Sequence, residues 1–169
     1  MKQGDLIVAL MLAVDLAGCM AVVAPRPPAP PTTSVNDEVR ALVTLINNHR
    51  KSIGCPVLSW NSVVARVAQA HSDDMVHADY FSHTNRRGQS SFDRLHAAGI
   101  HYVRAAENIA AGQATAREVY DSWMHSSGHR SNIEDCRLRQ HGIGFTRGSS
   151  SAQFGRVVNA WTHDFVTLQ

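Results

Sequence analysis

Apolar residues recur at Val39, Leu42, Val43 and Ile46, the i, i+3, i+4, i+7 spacing that lays one stripe along a helix. Ser34 stands ahead of that stripe as a capping hydroxyl. Asp37 and Glu38 fall in the first turn, where the helix dipole favours acids, and Gly54 and Pro56 end the element. A second stripe of Val63, Val64, Val67, Ala68, His71 and Met75 predicts a helix from about Ser62 to His77, with His71 as a satisfied core histidine. Ser90 or Ser91 opens a short helix through Ala98, and Gly99 suits the position just past its end. Glu107 to Ala111 reads as extended. Thr115-Ala116-Arg117-Glu118 has the form of a capping box, so Glu118 belongs to the cap of a helix whose apolar side is Val119, Tyr120 and Trp123. A short helical turn follows, carrying His129 to Ile133. The pattern then becomes strand-like: Ile143-Gly144-Phe145-Thr146, a turn at Gly148-Ser149-Ser150-Ser151, and a run from Phe154 to Phe165. That hairpin makes the sheet antiparallel. Helices first and a hairpin-ended sheet after them define an α+β fold.

The N-terminal segment follows a different rule. Lys2 precedes an apolar run from Leu6 to Val14, too short to span a bilayer as a permanent helix, with Asp5 and Asp15 as unfavourable acids. Leu16-Ala17-Gly18-Cys19 resembles a bacterial lipobox. Residues 1–19 therefore read as a lipoprotein-type signal ending at a lipid-bearing Cys19, the alternative being a plain secretory signal cut elsewhere. Residues 20–35 carry five of the six prolines and form an extended spacer, which leaves 36–168 as one domain. Cysteine arithmetic bears on the same point. Three cysteines are an odd number for an exported chain. With Cys19 lipidated, Cys55 and Cys136 remain either as a disulfide or as two buried thiols; a bridge would stabilise by about 4 kcal/mol in the chain-entropy model.

Composition narrows the function. Hydrophobic residues at 44% and charged ones at 18% describe a globular chain. The net charge of +2, with no basic run longer than Arg86-Arg87, argues against nucleic acid as the main partner. Of the ten histidines, His49, His71, His77, His96 and His101 read as surface or packing residues. The candidates for chemistry are His83, Glu107 and His129: two imidazoles and a carboxylate that folding can gather into one polar pocket.

Those three lie in Tyr80-Phe81-Ser82-His83-Thr84, Ala106-Glu107-Asn108-Ile109-Ala110 and the stretch from Trp123 to Ile133 that contains Ser127-Gly128-His129-Arg130. In this order the segments resemble the bacterial branch of the CAP superfamily, the SCP domain of cysteine-rich secretory proteins, venom antigens and plant pathogenesis-related proteins. The resemblance runs from about Val39 to Phe165. It is supported by Pro56-Val57-Leu58-Ser59-Trp60, Ala70-His71-Ser72-Asp73-Asp74-Met75, Phe92-Asp93-Arg94-Leu95 with Gly99, and Trp161-Thr162-His163-Asp164-Phe165. It implies an α-β-α sandwich with a mainly antiparallel sheet and a cleft of two histidines and two acids, which binds a divalent metal, often zinc, in some members. His83, Glu107 and His129 match the first histidine, an acid and the second histidine. Ala106 replaces the usual glycine, and Ser126 stands where many relatives place the second acid, with Asp121 or Glu134 as substitutes. Three groups would hold zinc with water in the fourth position, more weakly than four.

Three functions follow. One is a tethered, monomeric binding module of the cell envelope, touching the membrane only through its anchor and holding a small ligand, an envelope component or a metal. The second is a metal-dependent hydrolase in which zinc lowers the pKa of a bound water and Glu107 acts as base. Ser82 and Ser127 are serine candidates for such an enzyme, but no Gly-x-Ser-x-Gly or His-Glu-x-x-His is present. The third is a structural envelope protein.

Overall fold

The computed structural model describes residues 34–148 and 157–169. The signal expected over 1–19, its Cys19, most of the spacer and the start of the last strand at Phe154 lie outside them. In chain order the elements are α1 (Val35–Ser52), β1 (Ser59–Trp60), α2 (Ser62–His77), α3 (Ser91–Ala97), β2 (Tyr102–Ala111), α4 (Ala116–His125), α5 (Ser127–Glu134), β3 (Gln140–Arg147) and β4 (Asn159–Leu168). The capping hydroxyls lie where the sequence places them. Ser34 accepts from the Asp37 N–H, and Ser90 and Thr115 each form a reciprocal box, with Asp93 and Glu118.

The sheet runs β1-β3-β4-β2. β3 and β2 flank β4 antiparallel, and β1 joins β3 in parallel, so the sheet is mixed with a mainly antiparallel body. Two features exceed the sequence pattern: Ser59–Trp60 is a short strand, and β2 begins at Tyr102, not near Glu107. Helices α2 and α3 cover one face while α1, α4 and α5 cover the other, which makes an α-β-α sandwich.

Register assigns each side chain to a layer. Gly142 and Glu107 both lie opposite Asp164, and Gly144 and Ile109 both lie opposite Thr162. Because successive side chains alternate, these positions face α2, while Asn108, Phe145, Trp161, His163 and Phe165 face α1 and α4. The two glycines are what admit α2. A Cβ at 142 would fall 2.0 Å from the Ala65 nitrogen and one at 144 would fall 2.4 Å from Gln69 Cα, so the helix rests on bare strand backbone. On the opposite face the main core gathers Leu42, Ile46, Trp123, Ile133, Phe145, Trp161 and Phe165, with Phe145 and Trp161 stacked at 3.7 Å.

A covalent tie and a buried cation close one end of the molecule. Cys55 and Cys136 form a disulfide with Cα atoms 4.9 Å apart. Beside it the fully buried Arg50 donates to the carbonyls of Pro56, Ile133, Asp135 and Leu138 at 2.7–3.1 Å. The guanidinium thereby holds the loop after α1 against the turn after α5, using donors in a planar fork that lysine lacks.

Candidate functional site

β2 is an edge strand of the sheet, and the site is built along it. Glu107 projects from its α2 face with only 2% of the side chain exposed. His83, in the irregular segment between α2 and α3, brings Nδ1 to 2.7 Å from Glu107 Oε1 and leaves Nε2 turned outward; its side chain is 55% exposed. Arg94, one turn into α3, donates Nη2 to Glu107 Oε2 at 2.5 Å and Nη1 to the carbonyls of His83 and Gln89. One arginine thus neutralises the buried carboxylate and fixes the loop that presents the histidine. Above this floor lies an open cleft of about 340 Å3, walled by Ser90, Phe92, Ala105 and Asn132 as well as His83 and Glu107.

Behind Glu107 stands a second acid, Asp164, which the sequence motifs alone do not single out. It is fully buried opposite Glu107, and neither of its oxygens meets a protein donor among the described residues. Two carboxyls facing each other inside the protein are compatible only if one carries a proton. Burial, then the nearby Glu107 charge, push the Asp164 pKa well up, which favours the protonated form of Asp164. The expected substitutes lie elsewhere: Asp121 accepts from Arg117, and Glu134 pairs with His49. Ser126 joins α4 to α5.

His129 takes a different place. It lies on α5, its backbone carbonyl accepts from Asn108 Nδ2 at 3.0 Å, and its ring is 6.4 Å from that of Trp123. Burial first, then the charge of His83, lower its pKa and keep it neutral. His129 is near enough to His83 for the two rings to interact electrostatically, and it makes no hydrogen bond to Glu107 among the described residues. From the same helix Asn132 reaches the strand edge, donating to Asn108 Oδ1 at 2.8 Å and to the Glu107 carbonyl at 3.4 Å.

The fit to zinc can be judged from these donors. Glu107 is held by His83 on one oxygen and by a cationic guanidinium on the other, burial drives its neighbouring acid towards the neutral form, and among the described residues no three His, Cys, Asp or Glu are placed to hold an ion. As arranged, the set does not make a zinc cage. The serine candidates are not activated either. Ser82 Oγ accepts from the Thr84 N–H, Ser127 opens α5 exposed, and neither side chain bonds a histidine among the described residues.

Two sequence signals point to the further residues of this floor. Arg94 sits in Phe92-Asp93-Arg94-Leu95, within reach of the loop that carries His83. Asp164 is an acid inside a strand otherwise buried from Ala160 to Val166.

A wider comparison agrees with this architecture. The chain belongs to the cysteine-rich secretory protein (CAP) family, whose model matches residues 43–165. It is 34% identical over 134 residues to the uncharacterized protein YkwD of Bacillus subtilis, covering 79% of this chain and 49% of that protein. Among solved structures it resembles an extracellular protein containing a SCP domain from Bacillus anthracis, at 27% identity and a TM-score of 0.68 over 83% of this chain and 45% of that one. It also shares the fold of an outer surface protein of Borrelia burgdorferi, at 15% identity and a TM-score of 0.72 over 81% and 97% of the two chains. The chain thus spans about half the length of YkwD and of the Bacillus anthracis protein.

Proposed function

We propose that this chain is an exported, lipid-anchored binding module of the cell envelope, and that the cleft on β2 takes a small organic ligand with a polar end and an apolar side. The observation that carries this reading is the Arg94–Glu107–His83 assembly at the cleft floor: a buried, neutralised carboxylate orients one imidazole and turns its free nitrogen outward. His83 Nε2 meets the polar end, and the half-exposed Phe92 ring covers the apolar side. Export is supported by the signal-like N-terminus and by relatives described as extracellular or outer surface proteins. No helix among the described residues is long and apolar enough to cross a membrane, so attachment falls to the lipobox-like Cys19. Binding is favoured over hydrolysis because, among the described residues, no serine or cysteine side chain bonds His83.

The test is to purify the full chain from its own host and measure carried small molecules by native mass spectrometry and metals by elemental analysis. Phe92→Ala and His83→Ala are expected to lose the carried molecule while remaining folded, with less than stoichiometric zinc in wild type. Stoichiometric zinc that disappears in His83→Ala and His129→Ala would replace this reading with a metal site.

A further inference from the structure

Pairing along β2 leaves part of its backbone without a strand to bond. At the end of its ladder with β4, just past Ala111 opposite Ala160, the Gly112 N–H donates to the Asn159 carbonyl at 3.0 Å. In an antiparallel ladder hydrogen-bonded positions alternate. Ala110, Asn108 and Ala106 therefore turn their main-chain groups to β4, while Ile109, Glu107 and Ala105 turn theirs away from it. Two side chains agree: Trp123 Nε1 donates to the Ile109 carbonyl at 3.2 Å, and Asn132 Nδ2 to the Glu107 carbonyl at 3.4 Å. No strand lies beyond β2, and the Ala105 N–H and C=O and the Glu107 N–H have no partner among the described residues.

The cleft opens onto this edge. Its walls include Ala105, Ala106 and Glu107 in succession, although neighbouring side chains of a strand point to opposite faces. They also include Phe92 on α3 and Asn132 on α5, from the two opposite layers, so the space straddles the rim of the strand. Glu107 as a whole residue is 7% exposed against 2% for its side chain, so the area it shows is chiefly main chain. A donor and an acceptor on one residue, repeated two residues on at roughly 6.7 Å, form the pattern by which one strand receives another. A compact ligand meets one of these residues; an extended peptide meets both. The open stretch is bounded by the Trp123 bond at Ile109 and by the register shift between Tyr102 and Arg104. It suits a few residues of peptide and is too short for the ten-residue β2 of a second copy to pair along its length. We propose that the β2 cleft takes a short peptide in extended conformation as an added edge strand, bonded to the main chain of Ala105 and Glu107, with an apolar side chain against Phe92. This rests on the reading of the cleft as a binding site and names the class of its ligand.

The probe is a pool of capped pentapeptides varied over Ser, Thr, Val and Phe, titrated into the isotope-labelled full chain and followed by nuclear magnetic resonance. The Ala105 and Glu107 amides are expected to shift downfield saturably and to exchange more slowly, while the Asn108 amide, already bonded to β4, keeps its rate. The best-binding member is then N-methylated at alternate residues. One register of methylation should weaken it about tenfold and the other should leave it nearly unchanged. Ala105→Pro removes one outward donor at an edge, where proline is tolerated in a strand, and should weaken the peptide by a similar factor. If that variant fails to fold, the methylated peptides decide. No saturable shift of these amides up to about 10 mM peptide overturns the proposal. Methylation that acts equally in both registers overturns the added strand as well. Shifts of the same amides on raising the protein concentration alone would give the edge to a second copy and overturn it too. Loss of the carried molecule in Phe92→Ala and His83→Ala is read separately, so a cleft that binds another class of ligand is told apart from one that binds nothing.

Discussion

Replacing Asp164 with Asn keeps the side chain's shape and removes its need for a proton. In the wild type the folded state holds that proton while an unfolded Asp releases it near 3.8, so stability is full below that pH and falls as pH rises towards the raised folded value. The loss is about 1.4 kcal/mol per pH unit, and Asp164→Asn escapes it. The stability advantage of the variant should therefore grow from pH 4 to pH 8 in denaturant titrations; a constant difference would show that Asp164 is not protonated. The histidine pair behind the main core has the opposite sign. His141 Nδ1 and His163 Nε2 lie 2.9 Å apart, both fully buried, and burial lowers the His141 pKa to about 4 and that of His163 well below 6.5. Their contribution is complete above about 6.5 and is lost as pH falls towards 4. His141→Leu with His163→Leu should thus lose less stability than wild type between pH 6.5 and pH 5, by up to about 4 kcal/mol for two groups, measured by denaturant titration at both pH values.

At the scale of elements, the contact of α2 with β3 is the most exacting feature. Gly144→Ala would drive a methyl into Gln69 backbone that cannot turn aside, so a loss of about 2–4 kcal/mol is expected, with α2 amides exchanging faster than those of α1. Hydrogen exchange of the variant checks both points. Elements with local signals are legible in the sequence. The α2 stripe gives Ser62–His77, and the Thr115–Glu118 box gives the start of α4. β2 is longer than its pattern predicts because its first half, Tyr102 to Ala106, is an edge segment with half-buried and exposed positions and no clean alternation. The floor of the cleft is only half legible. His83 and Glu107 stand in recognisable motifs, whereas Arg94 reaches Glu107 from a separate helix and Asp164 comes to lie opposite Glu107 only through cross-strand register. His129 and Asn132 both come from α5, which meets β2 at Asn108 and reaches the Glu107 carbonyl, contacts that no local pattern announces.

For the whole molecule, the disulfide and Arg50 brace the same end. Cys55→Ala with Cys136→Ala should cost about 4 kcal/mol, the loop closed by the bridge being long, and the loss should match that produced by reductant on the wild type. A much smaller loss would mean that the Arg50 clamp alone suffices. The position of Glu107 on an edge strand has a kinetic consequence. A molecule reaching the cleft does not have to pry packed layers apart, so association should be set by diffusion and orientation, at about 10⁵–10⁷ M⁻¹s⁻¹ or faster, without a slow opening phase. Differences in affinity among ligands at this strand should then appear almost wholly in how long each one stays.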